Sequence, residues 1–353
     1  MLSGLARPLV AGDPAPWVPR PPGTRAVVLL LVDGLGWNAI ESHRSVLPVL
    51  AEMDGGPITT VVPSTTATAL TSLTTGRTPA AHGLVGFRVP VDRTVLNVLR
   101  WQRADGQRPP DPFDMQRHPA FFGREVPVVT RSEFRTTGFT EAHLRGTRFY
   151  GWASTSTLVE RVRRLVVEER APFTYAYYPG VDTVAHAFGL HDGFYEAELR
   201  AADRLIGDLL EVLPSWAALL VTSDHGQVHV GPDGWVSLEP VAPLVAAYWG
   251  DGRFRYLRAV RGGADDLAAA ARDEYGGRAW VLTAADLVDD GWLGPDPGPT
   301  LPRRIGDVVL AARDPVAFVD PGLPQETQLI GAHGSVTPDE MLIPLLARSG
   351  TAR

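Results

Sequence analysis

The chain has 353 residues, a formal net charge of -7 and a pI near 5.7. This length allows one large domain with an insertion or two domains, and the acidic balance argues against a general binder of nucleic acid polymers or anionic membranes. The sequence contains neither cysteine nor lysine, which excludes disulfides, thiolate zinc sites, cysteine nucleophiles, Schiff-base chemistry and the lysine of a Walker A loop.

The first 25 residues are rich in proline and lack the long apolar stretch of a secretory signal. We treat residues 1–25 as an N-terminal extension and residues 26–353 as the main domain. The apolar run at 26–32 is far too short to span a bilayer. On these grounds the sequence predicts a cytoplasmic protein that does not associate with membranes.

Three continuously apolar segments predict strands of a buried parallel sheet, because strands covered on both faces do not alternate with polar residues. They lie at 26–32, 173–178 and 216–222. Amphipathic helical patterns occupy 157–171 and 193–213. This alternation predicts an α/β fold, with a mostly parallel central sheet flanked by helices on both faces.

Residues 88–151 differ in kind, because they are rich in Arg, Pro and Phe and contain no long periodic helix. We predict that this segment forms a small inserted cap. Farther along the chain, the pattern predicts a short helix at 264–277, followed by strand-like stretches at 280–284 and 305–312.

Acidic residues and histidines follow all three predicted strands, and ligands of open α/β sheets collect at the carboxyl ends of strands. A single aspartate there is usually a turn or helix-cap residue, and one D-x-x-x-H pattern is common by chance. Together, however, the oxygen and nitrogen ligands match zinc or a similar divalent ion. The residues concerned are Asp33, Asp182, His186, Asp224, His225 and His333.

The remaining histidines carry weaker expectations. We expect His43, His118 and His143 to be solvated, since their sequence neighbours are polar. His82 follows a turn and fits a structural role as well as a functional one. His191 and His229 lie near the candidate ligands and are the substitutes if one of those assignments fails.

The threonine-rich stretch at 63–76 predicts a capped helix, with Ser64 or Thr65 as N-cap and Gly76 at the end. The same geometry places a hydroxyl beside free backbone N–H groups and the positive end of the helix dipole, where a phosphate binds well. A threonine hydroxyl is a poor nucleophile at neutral pH, but coordination to a divalent cation activates it.

The order of these motifs resembles the alkaline phosphatase superfamily, and within it the nucleotide pyrophosphatase/phosphodiesterase branch. The motifs are DG at 33–34, PSTT at 63–66 leading to TGRTPAAHG at 75–83, DTVAH at 182–186, SDHG at 223–226 and AHG at 332–334. The resemblance covers about 26–345 and leaves the insertion outside it. It implies an alkaline-phosphatase-like catalytic domain at 26–353 that hydrolyses phosphoric esters with the help of metal ions.

The resemblance also implies a role for each matching residue. Two zinc ions are expected, with manganese or iron as alternatives. Asp33, Asp224 and His225 would hold one ion together with the nucleophile, and Asp182, His186 and His333 would hold the other. Thr66 is the expected nucleophile and Thr65 is the reserve choice.

One departure from the family pattern bears on the substrate. The resemblance leads us to expect Asn three residues after the nucleophile, where it would help to stabilise the phosphoryl oxygens, but this chain has Ala69. Loss of one such donor can cost roughly 10²–10³ in rate. Arg77, Asn38 or a residue of the insertion is a possible replacement.

Several alternatives remain open at this point. The expected substrate is a small-molecule phosphate ester, and aromatic residues of the insertion could stack on a nucleobase. A phosphomonoesterase or phosphonate hydrolase would use the same scaffold. A metal-containing binding protein that has lost turnover is the non-enzymatic alternative, and Ala69 favours it mildly.

Overall fold

The computed structural model describes residues 1–10 and 15–352, and its largest element is a seven-stranded sheet. In chain order, the strands of the protein are β1 Ala26–Val32, β2 Asp54–Thr59, β3 Arg88–Val91, β4 Thr94–Asn97, β5 Gln102–Arg103, β6 Pro127–Arg131, β7 Arg148–Trp152, β8 Phe173–Tyr178, β9 Ala217–Thr222, β10 Val228–His229, β11 Trp235–Val236, β12 Val245–Asp251, β13 Phe254–Ala259, β14 Ala279–Thr283, β15 Val308–Ala312, β16 Ala317–Phe318, β17 Gly331–Ala332 and β18 Leu342–Ser349.

The helices are mostly short, and several 3₁₀ turns connect them. In chain order they are α1 Ala6–Val10, α2 Trp37–Ser42, α3 Pro48–Ala51, α4 Thr66–Thr75, α5 Pro79–His82, α6 Pro112–Met115, α7 Gly138–Leu144, α8 Thr155–Arg163, α9 Gly180–Phe188, α10 Gly193–Val212, α11 Ala264–Tyr275, α12 Ala284–Asp289, α13 Leu301–Arg304 and α14 Pro338–Met341. A π-helical turn, Arg164–Glu168, continues α8.

The central sheet has the strand order β2-β18-β9-β1-β8-β6-β7. The pairings among β9, β1, β8, β6 and β7 are all parallel, whereas β18 is antiparallel to both of its neighbours. The predicted mostly parallel central sheet is therefore confirmed. The three strands predicted from their apolar sequences, β1, β8 and β9, lie side by side in its centre.

Both faces of the sheet are covered, and the alternation along β1 explains why that strand is apolar throughout. Val27, Leu29 and Leu31 face a core that includes α4 and α7. Val28 and Leu30 face the opposite core, which includes α8, α9 and α10. Each large apolar side chain buried in this way contributes about 1.5–3 kcal/mol. The prediction of helices on both faces is likewise confirmed.

Residues 88–151 are divided between the central sheet and a small sheet of their own. Strands β6 and β7 belong to the second half of this segment and pair within the central sheet. Only β3, β4 and β5 form a small sheet of their own. The sequence predicts one insertion here because the segment is rich in Arg, Pro and Phe and lacks a long periodic helix, whereas the place of β6 and β7 depends on pairing with β8, far along the chain.

A second, antiparallel sheet has the order β12-β13-β15-β14, and α11 packs against it. The predicted helix at 264–277 and the two predicted strands that follow it all occur within this unit. At the other end of the chain, Leu2, Leu5 and Ala6 of the N-terminal extension are buried in the same core as α4. Within the described residues, no helix has the length and apolar character that crossing a membrane requires.

Candidate active site

The loops that follow β1, β8 and β9 meet at one edge of the central sheet, because parallel strands end on the same side. Asp33 comes directly after β1, and Asp224 follows β9 after one intervening residue. The chain leaving β8 enters α9, where the backbone N–H of Asp182 donates to the carbonyl of Asp33 at 3.0 Å. This contact fixes the ends of β1 and β8 relative to each other.

Asp33, Asp224 and His225 form a first cluster of possible metal ligands, all of them buried. Nε2 of His225 lies 3.4 Å from Oδ1 of Asp33 and 3.5 Å from Oδ2 of Asp224. The other carboxylate oxygen of each aspartate is held in place, since Tyr177 donates its hydroxyl to Asp33 Oδ2 and the Gly34 N–H donates to Asp224 Oδ1.

Asp182, His186 and His333 form a second cluster beside the first. Asp182 and His186 are four residues apart on α9, so they share one helical face as the sequence predicted, with 3.2 Å between Oδ1 and Nε2. Nε2 of His333 lies 3.7 Å from the same Asp182 oxygen. The rings of His225 and His333 stack with their centroids 3.5 Å apart, so the two clusters adjoin.

All three histidines are oriented through Nδ1. His186 Nδ1 donates to the Gly331 carbonyl at 2.7 Å, His333 Nδ1 to the Ser64 carbonyl at 2.8 Å, and His225 Nδ1 to the Gly226 carbonyl at 3.0 Å. When a ring is neutral, this arrangement leaves its Nε2 as a lone-pair donor that faces the carboxylates. Histidine ligands of metal sites are held in the same way.

The donor set fits divalent cations. Asp33 Oδ1 and Asp224 Oδ2 are buried and have no hydrogen-bond partner within residues 1–10 and 15–352. Burial and the neighbouring carboxylates raise the pKa of Asp33 well above its usual value. Burial also raises the pKa of Asp224. Burial opposes ionisation of Asp182, but the charge of His186 and its hydrogen bond outweigh it and lower the pKa of that carboxyl. Cations would stabilise the concentrated negative charge.

Thr66 is the first residue of α4 and lies beside the first cluster. Its hydroxyl oxygen is 3.1 Å from Nε2 of His225. Thr65 is the N-cap, as one of the two sequence predictions had it, and Gly76 ends the helix in the left-handed conformation with φ 65°. The Thr65 side chain instead lies beside Asp251, whose pKa its hydrogen bond lowers against the larger effect of burial. The two neighbouring hydroxyls therefore face different surroundings.

Two supporting residues escaped the sequence analysis. Gln227 donates from its side-chain amide to Asp182 Oδ1 at 2.6 Å, and Tyr177 donates to Asp33 as described above. Gln227 directly follows the SDHG motif, which is the one sequence signal that could have drawn attention to it. Tyr177 carried no signal, because it is one of several apolar residues in a buried strand.

Glycines allow the site loops to approach one another closely. A Cβ on Gly226 would lie 2.0 Å from the Asp339 carbonyl oxygen, and one on Gly34, at φ +77°, would lie 2.9 Å from Asp182 Cα. Any other residue at either position would push these loops apart. The glycines in the DG and SDHG motifs therefore have a packing role in addition to their role in turns.

The other histidines lie outside the two clusters. His143 is buried, contrary to expectation, because it stacks on Phe139 in α7 and donates to that residue's carbonyl. His43 and His118 are half-buried. His82 is buried and bonds Ser72, which is a structural role. His191 and His229 contact each other in a separate cleft.

Two cavities open on Thr66 and Asp182. One has a volume of about 230 Å³ and a wall that includes Phe134, Phe139 and Tyr177. The other has a volume of about 320 Å³ and includes His186 and His333. Three positions considered in the sequence analysis line neither cavity, because Ala69 is fully buried in the core, Arg77 is exposed elsewhere and Asn38 bonds Asp339.

Comparison with known proteins agrees with this architecture. Murine ectonucleotide pyrophosphatase/phosphodiesterase 5 superimposes with a TM-score of 0.69 at 13% identity, over 93% of this chain and 90% of the murine one. An inactive threonine-to-alanine variant of the murine protein, in complex with AMP, gives 0.68 at 14% identity over the same shares of the two chains. Phosphonoacetate hydrolase from Sinorhizobium meliloti, in complex with phosphonoacetate, gives 0.66 at 17% identity over 98% of this chain and 93% of its own.

At the level of sequence, no curated protein matches the chain. The profile of one family does match, over residues 27–336, and that family is described as type I phosphodiesterase / nucleotide pyrophosphatase. The matched range contains Thr66 and all six clustered residues. The chain belongs to the type I phosphodiesterase/nucleotide pyrophosphatase family and is thus a hydrolase of phosphoric esters.

Proposed function

We propose that this protein hydrolyses small-molecule phosphoric diesters or anhydrides, with Thr66 as nucleophile and a site for two divalent metal ions. One observation carries the proposal. The Thr66 hydroxyl lies 3.1 Å from His225 of the first cluster, and Thr66 lines both cavities that meet at Asp182 of the second cluster. A phosphoryl group placed there would be in reach of the hydroxyl and of both clusters.

Asp33, Asp224 and His225 would hold one metal ion, and Asp182, His186 and His333 would hold the other. When bound, such ions lower the pKa of a coordinated hydroxyl or water and neutralise charge that develops on the phosphoryl oxygens. Zinc is the first candidate because the ligands are nitrogen and oxygen atoms, although manganese and iron accept the same set. The family membership supports metal dependence.

The chain's own groups account for positioning and for the covalent step. The Thr66 hydroxyl gives up its proton as its oxygen attacks phosphorus and a new P–O bond forms. The leaving oxygen departs with the electron pair of the bond that breaks and takes up a proton. Water then attacks the phosphothreonine, the bond between phosphorus and the Thr66 oxygen breaks, and that oxygen regains a proton. Holding the reactants in this geometry supplies a large part of the rate enhancement.

Backbone donors of α4 are available for the phosphoryl oxygens. The first-turn N–H groups of a helix have no partner within it, and Thr65, the N-cap, makes no side-chain capping bond. These donors, together with the helix dipole, favour a phosphoryl group beside Thr66. These backbone donors would stabilise the phosphoryl oxygens in place of the expected Asn, because the residue at that position, Ala69, lies in the core.

The named relatives support a small substrate. The murine relative binds AMP as an inactive threonine-to-alanine variant, and the bacterial relative binds phosphonoacetate. A nucleotide-containing ester is therefore one candidate, and a phosphonate is a second candidate on the same scaffold. We further propose that the protein acts in the cytoplasm, which expression with a fluorescent tag and cell fractionation would test.

The decisive experiment compares bis-p-nitrophenyl phosphate with p-nitrophenyl phosphate as substrates of the purified protein. We expect faster turnover of the diester, about two metal ions per chain, and loss of activity both in Thr66→Ala and after EDTA treatment. If Thr66→Ala kept its full metal content and its turnover were undiminished, the assignment of Thr66 as the nucleophile would be refuted. Preference for the monoester would reassign the protein to the phosphomonoesterases.

A further inference from the structure

The larger of the two cavities beside Thr66 contains an arginine whose guanidinium has no hydrogen-bond partner among the residues that the structure describes. Arg100 lines this cavity together with Thr66, His186 and His333. It is exposed at the cavity wall, and among the described residues no carboxylate or carbonyl accepts a hydrogen bond from its guanidinium. Arg100 is also the one arginine among the described residues that line this cavity.

The backbone that carries Arg100 is firmly held. Residue 100 lies in the turn between β4 and β5, and its N–H donates to the Asn97 side chain at 3.0 Å. The next residue, Trp101, is buried and donates its indole N–H to the Pro110 carbonyl at 2.9 Å. A free guanidinium on a fixed turn is preorganised for a ligand, since little backbone entropy is lost on binding.

None of the three acidic side chains that line the same cavity forms an ion pair with Arg100, and Asp182 lies instead 3.2 Å from His186. Glu326 forms an ion pair with the buried Arg255 at 2.6 Å. Asp251 accepts hydrogen bonds from the Phe87 N–H, at 3.2 Å to Oδ2, and from the Thr65 hydroxyl. The remaining wall is largely apolar and includes Trp235 and Leu329. The positive charge of Arg100 is therefore available to a group that enters the cavity.

The proposed function decides which part of a substrate reaches this cavity. Thr66 lies against the first cluster, and in-line displacement sends the leaving group away from the attacking oxygen. The cavity with Arg100 is lined by all three residues of the second cluster. The smaller cavity, with Phe134, Phe139 and Tyr177, would then hold the group that stays on phosphorus.

Building on the proposed function, we propose that Arg100 selects substrates whose leaving group carries a negative charge, such as a carboxylate or a further phosphate. The guanidinium forms charge-assisted, two-pronged hydrogen bonds with such groups. A neutral leaving group has no equivalent contact. Arg100 is thus a residue of the 88–151 segment that determines specificity.

The test uses two chromogenic diesters that differ only in the charge of the leaving group. They are phenyl 4-nitrophenyl phosphate and phenyl 3-carboxy-4-nitrophenyl phosphate, whose leaving phenols have similar acidity. We expect the wild-type protein to favour the carboxylated ester in kcat/KM by about tenfold. Arg100→Ala should bring the ratio close to one, and Arg100→Lys should retain part of it.

Arg93→Ala is the matched control, because Arg93 is an exposed arginine in the same small sheet that lines neither cavity. It should keep the wild-type ratio. A wild-type ratio near one, or an unchanged ratio in Arg100→Ala, would overturn the inference.

A binding measurement separates this inference from the proposed function. If neither ester is hydrolysed, the proposed function fails, and calorimetric titration with 5-hydroxy-2-nitrobenzoate and with 4-nitrophenol still tests Arg100. Tighter binding of the carboxylated phenol that Arg100→Ala removes supports the subsite. Equal binding of both phenols by the wild-type protein contradicts it.

Discussion

The Thr66 hydroxyl and the His225 imidazole are 3.1 Å apart, joining the start of α4 to the loop after β9. The neighbouring Thr65 side chain instead interacts with Asp251, the last residue of β12 in the antiparallel sheet. Two adjacent residues of the same type therefore have different chemical surroundings, and substitution distinguishes their roles.

The threonine pair gives the first prediction. Thr66→Val should lower kcat on bis-p-nitrophenyl phosphate by roughly 10³-fold or more, since it removes the attacking oxygen. Thr65→Val keeps that oxygen and should retain activity within about tenfold, because it loses only the bond to Asp251. Steady-state kinetics with metal analysis would check this, and the reverse order of effects would make Thr65 the nucleophile.

Gln227 gives a prediction about metal affinity. Its amide orients Asp182 at 2.6 Å, and loss of such a supporting hydrogen bond typically weakens metal binding by about 10–100-fold. We expect Gln227→Leu to lose one metal ion at chelator concentrations that leave the wild-type protein loaded. The exposed Gln102→Leu serves as the control. Equal metal retention by the two variants would show that Asp182 needs no such support.

A buried ion pair gives a prediction about stability. Arg253 and Glu340 are fully buried and bond in two places, at 2.8 and 2.9 Å, while Glu340 also accepts from the Ser335 N–H at 2.9 Å. Glu340→Gln leaves the guanidinium without its countercharge and should cost about 3–5 kcal/mol of unfolding free energy. Urea unfolding would measure this loss.

The control for this experiment is an exposed ion pair. Arg348 and Glu52 lie 2.7 Å apart at the surface. Glu52→Gln should cost less than about 1 kcal/mol. Equal losses of stability in the two variants would show that burial adds nothing to the contribution of the Arg253–Glu340 pair.

The buried His82 gives a prediction about how the free energy of unfolding depends on pH. Burial and the nearby charges of His118 and Arg304 lower the pKa of His82 to about 3. Because the folded value lies below the unfolded one, its contribution to stability is complete above about pH 6.5 and declines as the pH falls toward 3. Between pH 7.5 and 5 the loss from this residue is about 2 kcal/mol.

The His82→Gln variant checks that prediction. It should be less stable than the wild-type protein at pH 7.5 but should lose less stability on acidification to pH 5. The exposed His191→Gln should reproduce the wild-type slope. A His82→Gln slope equal to that of the wild type would place the acid sensitivity elsewhere, for example at the buried His143, whose pKa burial lowers to about 4.

The central part of the fold was predictable from sequence. Continuous apolar runs located β1, β8 and β9 to within one residue, because strands buried on both faces leave little room for polar side chains. The place of β6 and β7 was not predictable, because their segment is rich in Arg, Pro and Phe, has only short strand-like runs, and joins the central sheet through pairing with β8. The burial of His143 likewise depends on α7 packing and not on its sequence neighbours.

At the site, sequence proposed the six residues that the structure gathers into two clusters, since each follows a strand or lies in a distinct motif. The supporting contacts were not predictable. Gln227 reaches Asp182 across 45 positions and Tyr177 reaches Asp33 across 144. A glutamine or a tyrosine in a sequence does not indicate a contact with a distant aspartate. These contacts form only when the ends of the strands come together.

The stacked rings of His225 and His333 belong to different clusters, with centroids 3.5 Å apart and planes at 11°. If each cluster holds an ion as proposed, the ion that fixes one ring would also restrict the other, which would reduce the entropy lost when the second ion binds. Metal uptake by the stripped protein would then be cooperative, and singly loaded molecules would be scarce during a titration.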